Sequence, residues 1–94
     1  TDLTVLTDTH VNKIVIEGDA ATGVECINEK GEFFTVNASK EVLLSSGAFG
    51  SPQILLRSGV GPASEITKHG IEHKIDLPGV GQNLQDHIDY LSVH

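Results

Sequence analysis

A chain of 94 residues, 38% hydrophobic and 20% charged, makes one domain at most and is not disordered throughout. Six Lys and Arg against thirteen Asp and Glu give a net charge of −7; this argues against a nucleic-acid groove and an anionic membrane surface as partners, and no apolar run approaches the ~20 residues that span a bilayer. A single cysteine, Cys26, excludes an internally disulfide-stapled scaffold and makes a reducing, cytoplasmic compartment the expectation.

LTVLTD (3–8) is β-rich and short. HVNKIVIEG (10–18) is a second β-branched run closed by Gly18, and EGDAATG (17–23) carries turn residues. GVECIN (23–28) alternates like a strand; Glu29–Glu32 forms a turn with Gly31 at a positive-φ position. FFTVNA (33–38) is the returning strand, so 11–38 reads as a three-stranded antiparallel meander. Val42, Leu43 and Leu44 then run without alternation, which predicts a strand over 41–46 buried on both faces, as in a parallel sheet. Ser51-Pro52 reads as an N-cap followed by the first helical position, giving a helix over about 52–58 that stops at Gly59. Pro62 opens a second helix, about 63–69, stopped by Gly70. IEHKIDLP (71–78) alternates as a strand, 79–87 is a glycine-containing loop, and IDYLSV (88–93) is a last strand. The chain opens on Thr1 inside strand-like sequence and closes on strand-like sequence, so a piece of a larger protein is expected.

Three stretches could carry chemistry. HGIEH (69–73) matches a zinc pattern, but that pattern needs both histidines on one helix face. Gly70 and the strand alternation of 71–77 put His69 and His73 ~13 Å apart, so no metal is expected. His87, between Asp86 and Asp89, could be a general base or a ligand; a hydrogen-bonded loop end is the plainer reading. SGAFGSPQILLRSGVG (46–61) is the strongest signal. It places a glycine turn and a helix start at the carboxyl end of an apparent buried strand, where α/β sheets bind ligands and where backbone N–H groups are free.

At these residues the chain resembles the glucose–methanol–choline (GMC) oxidoreductases. Gly47-Ala48, Ser51-Pro52, Ile54-Leu55 and Ser58-Gly59-Val60-Gly61 satisfy every fixed position of that family's second signature. TVLTDTHVNKIVIEGDAATGVECI before it and HGIEHKIDLPGVGQNLQDH after it are similar to the family as well. The resemblance implies an α/β fold: part of a Rossmann-like FAD-binding domain over 1–87, with the antiparallel meander, leading into a substrate-domain strand at 88–94. It implies FAD as cofactor and a small-molecule alcohol as substrate, oxidised to a carbonyl by hydride transfer to the flavin. It implies that Val11 meets the adenine end of FAD through its backbone, that Ser46 and Gly47 lie beside the cofactor, and that His87 comes near the substrate side. The family's Gly-rich pyrophosphate fingerprint and its catalytic-histidine segment have no counterpart in the chain. No catalytic residue is therefore implied here, and the chain alone is expected to be inactive. A stand-alone, non-catalytic binding module derived from such an enzyme is the alternative. A chain this short, with a doubly buried strand and no layers to cover it, is expected to self-associate.

Overall fold

The structure, a computed structural model, describes residues 3–86. Its largest element is an antiparallel sheet in the order β1–β2–β3, formed by β1 (His10–Glu17), β2 (Ala20–Ile27) and β3 (Phe33–Asn37). Local chemistry dictates both hairpins. Gly18, at φ 63, supplies the positive φ that a tight hairpin turn needs to match strand twist. In the second turn the Asn28 Oδ1 accepts the N–H groups of Lys30 and Glu32, each at 2.9 Å, an Asx turn that folds the chain back on itself. The β2–β3 register is unbroken from Gly23↔Asn37 to Ile27↔Phe33, and a side chain at Gly23 would run into the Val36 carbonyl. The β1–β2 ladder shifts register between Val11 and Lys13 and again between Val15 and Ile16.

Helix α1 spans Gly47–Arg57, so it starts five residues before the expected position. Ser46 is its N-cap, and Ser51 is not a cap at all: its Oγ accepts the Ser46 N–H at 2.8 Å. Pro52 lies inside the helix, where its missing N–H leaves the Ala48 carbonyl without its helical donor. The helix ends at Ser58 and Gly59, the latter at φ +88.

Beyond it, β4 (Val60–Gly61) pairs in parallel with β5 (Ile75–Asp76), and α2 (Ala63–Lys68) crosses between them. Pro62 caps α2. Its end is a Schellman motif, with the Gly70 N–H on the Thr67 carbonyl at 3.1 Å and the Ile71 N–H on that of Ile66 at 3.3 Å. Of the expected strand 71–78, only Ile75–Asp76 pairs, because its partner β4 is two residues long. The alternation survives: Ile71, His73 and Ile75 face partly inward while Glu72, Lys74 and Asp76 are exposed.

Two expected strands do not form. Residues 3–8 are unpaired, with Leu3 and Val5 exposed. Residues 41–46 are also unpaired; Val42 and Leu44 are half-buried and Leu43 is 83% exposed. Burial on both faces requires flanking strands, and among the described residues none runs beside this segment. The expected strand 88–93 lies outside the described residues. Among the described residues the buried apolar side chains are Ile14, Cys26, Ile54, Val60 and Ile66, one each from β1, β2, α1, β4 and α2. The Cα radius of gyration is 16.2 Å, against about 12 Å for a compact domain of this length.

Candidate functional site

Two stretches far apart in sequence converge on one groove. Thr9, His10 and Val11 come from the start of β1. Ser46, Gly50, Gln53, Ile54 and Arg57 come from α1 and its cap. The groove encloses about 310 Å³. The α1 residues stand at spacings of four, seven, eight and eleven from Ser46, which is one helix face. Gly50 leaves backbone as the floor: a Cβ there would sit 3.1 Å from the Ser46 Cβ. Val11 is half-buried and adjoins the register shift between Val11 and Lys13, a device that re-aims a strand locally.

The groove mixes apolar and polar chemistry. Val11 and Ile54 supply hydrocarbon; Ser46, Gln53 and the backbone of 9–11 supply hydrogen-bonding groups. Ser46 makes no side-chain cap bond and the first turn of α1 holds no acidic residue, so the positive end of the helix dipole is left uncompensated there. Arg57 is half-buried and forms no ion pair with the described carboxylates. It also lines a neighbouring cleft of about 220 Å³ with Lys13, Ser58, Glu72 and Lys74, where Lys74 pairs with Glu72 at 3.2 Å.

Of the residues singled out from sequence, Val11 and Ser46 meet in this groove. Gly47 does not line it; its φ of +87 and the open space around it make it a conformational residue at the helix start. His87 lies outside the described residues. Gln53, Ile54 and Arg57 are not recognisable as groove residues from a helix that begins at Pro52, because Ser46 and Gly50 then lie outside it. Extended back to Gly47, the helical spacing from Ser46 picks them out.

The HGIEH stretch splits into separate roles. His69 is the C-cap of α2. The His73 Nε2 lies 3.3 Å from the Gly61 carbonyl. No cluster of three metal-ligating side chains occurs among the described residues. Cys26 is buried in the sheet opposite Val11 and does not line the groove; burial, and then the charge of Glu25, push its thiol above the ordinary range.

A family model described as GMC oxidoreductase matches residues 1–89. The chain belongs to the GMC oxidoreductase family. It is 51% identical over 78 residues to the oxygen-dependent choline dehydrogenase of Rhizobium meliloti, covering 83% of this chain and 14% of that protein. It is 49% identical over 87 residues to the glucose-methanol-choline family oxidoreductase mfmG of Annulohypoxylon moriforme, covering 93% and 14%. Among solved structures, an FAD-dependent oxidoreductase from Chaetomium thermophilum superposes with a TM-score of 0.80 at 46% identity, over 86% of this chain and 14% of that one. The chain thus spans about 14% of the length of the GMC relatives it matches. Its mixed α/β fold with an antiparallel sheet is the fold of the corresponding segment in that FAD-dependent oxidoreductase. No helix among the described residues is long and apolar enough to cross a membrane.

Proposed function

We propose that this chain is a segment of the cofactor-binding domain of an FAD-dependent alcohol oxidoreductase, and that its groove takes the adenosine end of FAD. The observation that carries the reading is the convergence of Val11 and Ser46, 35 positions apart, on one groove. Its volume stands at the lower end of the about 300–1,000 Å³ usual for ligand pockets, so it suits one end of a dinucleotide rather than the whole. The lining fits that end. Val11, Ile54 and the backbone of 9–11 would hold a flat heteroaromatic ring, and Ser46 and Gln53 would hold the ribose hydroxyls. Gly50 keeps the floor clear, and the Arg57 guanidinium favours an anionic neighbour.

Bound FAD supplies the hydride acceptor for oxidation of a CH–OH group to a carbonyl. This chain's residues contribute binding and orientation. In this reading the groove serves the cofactor and not the substrate, and the chain spans about 14% of the length of its relatives, so the chain alone is expected to be inactive and the small-molecule alcohol to be met elsewhere in the whole protein. A reducing, cytoplasmic location suits the single free thiol.

The test is Gly50→Leu in the whole-length protein. Leucine is a better helix former than glycine and fills the groove. FAD affinity is expected to fall at least about tenfold, a loss of ~1.4 kcal/mol, with the fold retained. Unchanged affinity in a folded variant would remove the groove from the cofactor site.

A further inference from the structure

We infer that Ser58 is a positioning residue whose hydroxyl sets the separation of α1 from β1, and with it the width of the groove; this inference rests on the adenosine reading above. Ser58 is the one buried polar residue among the described residues, 6% exposed. Its Oγ makes two short hydrogen bonds. It donates to the Ile54 carbonyl at 2.6 Å and accepts the Ile14 N–H at 2.7 Å.

The first bond is a back-bond to the carbonyl four residues earlier, which by itself does little for a helix and tends to bend it. Its effect is to direct the hydroxyl proton inward along α1, leaving a lone pair for the strand. The second bond spans 44 positions of sequence. Among the described residues it is the one hydrogen bond that ties β1 to the 46–61 stretch. Ile14 belongs to an edge strand of the sheet, and this N–H is turned to the helix end rather than to β2. Apolar contact between α1 and β1 holds the two together without direction; the Ser58 bond supplies the direction and the distance.

Both partners of the hydroxyl adjoin the groove. Ile54 lines it. Ile14 lies three residues beyond Val11 on the same strand, just past the register shift. Moving Ile14 away from Ser58 therefore moves the Val11 wall away from the Ser46–Gly50–Gln53 wall. Without the hydroxyl, the Ile14 N–H is left buried with no partner, so the strand end must shift to find water or another acceptor.

The experiment compares FAD with FMN on the whole-length apoprotein, wild type and Ser58→Ala. FMN carries the same flavin and one phosphate but lacks the adenosine that the groove would hold. The expected result is a roughly tenfold loss of FAD affinity in Ser58→Ala, the worth of about one hydrogen bond, with FMN affinity unchanged. General destabilisation would weaken both ligands alike, so equal losses, or no loss of FAD affinity in the folded variant, would overturn the inference. If Ser58→Ala does not fold, Ser58→Cys decides by the same ratio: its thiol is a weaker donor and acceptor, and an intermediate loss confined to FAD is required. A wild-type protein with no preference for FAD over FMN would overturn the adenosine reading itself. A preference that survives in Ser58→Ala would overturn only the role of Ser58.

Discussion

Replacing Gly59 by alanine tests how the two halves of the chain are joined. Gly59 has φ +88, and an added Cβ would overlap the Glu72 carbonyl oxygen and lie 2.8 Å from the Lys74 Cγ. The backbone cannot yield freely, because the Gly59 carbonyl accepts the N–H of Lys74 at 2.8 Å and of Ile75 at 3.1 Å. The left-handed conformation costs an alanine about 1–2 kcal/mol, and overpacking against a fixed neighbour adds about 1–3. Gly70 is the control. It has φ +74 but nothing within 4 Å of an added Cβ, so Gly70→Ala carries the conformational cost alone. A total of about 2–5 kcal/mol for Gly59→Ala corresponds to about 30- to 5,000-fold faster opening. Hydrogen exchange at the Lys74 and Ile75 amides reads this directly. In Gly70→Ala the same amides are expected to quicken less than about 30-fold. Equal acceleration in the two variants would refute the argument that the 59–72 approach adds a cost at Gly59 beyond that of the φ angle.

Ile66, 1% exposed, is the most buried side chain of a small core; Ile66→Ala is expected to cost about 2–5 kcal/mol and to abolish exchange protection at the amides of His69 and Gly70. The Cys26 thiol is held above its ordinary range by burial and by Glu25, so the folded chain keeps a proton that the unfolded chain releases. Stability contributed there is complete below the unfolded thiol's range and declines as pH rises through it toward the folded value. Urea midpoints between about pH 8 and pH 10 should therefore fall further in wild type than in Cys26→Ala, and parallel declines would contradict this. Among the described residues β3 is an edge strand that carries no charge over Phe33–Asn37, and Leu43 and Phe49 are largely exposed. Light scattering is expected to give a dimer or larger species that Thr35→Lys on this edge reduces; a wild-type monomer would contradict it.

The features legible in the sequence are those made by nearby residues. The meander is legible from Gly18, the Glu29–Glu32 turn and the alternation of 23–28. The bounds of α2 followed from Pro62 and Gly70, each acting within one turn. The start of α1 did not, because Gly47 and Gly50 weaken the helical signal while Ser51-Pro52 imitates a cap. The hydroxyl of Ser51 in fact reaches back to the Ser46 N–H, a bond no pattern announces. The apolar run at 41–46 reads as a buried strand only if neighbours exist to bury it. β4 is two residues whose pairing lies fifteen positions away. The site divides in the same way. Val11 and Ser46 were reached through resemblance to a family signature and not through periodicity, and Gln53, Ile54 and Arg57 needed the true helix start. The bond from Ser58 to Ile14 spans 44 positions, and nothing local encodes it.

The visible spectrum of the purified whole-length protein, recorded before and after addition of alcohols, tests the central claim most directly. The account predicts flavin absorption that bleaches as an alcohol reduces the cofactor. A folded protein that is colourless, and stays colourless after FAD is supplied, would contradict it: the groove between β1 and α1 would then be inherited architecture without its ligand.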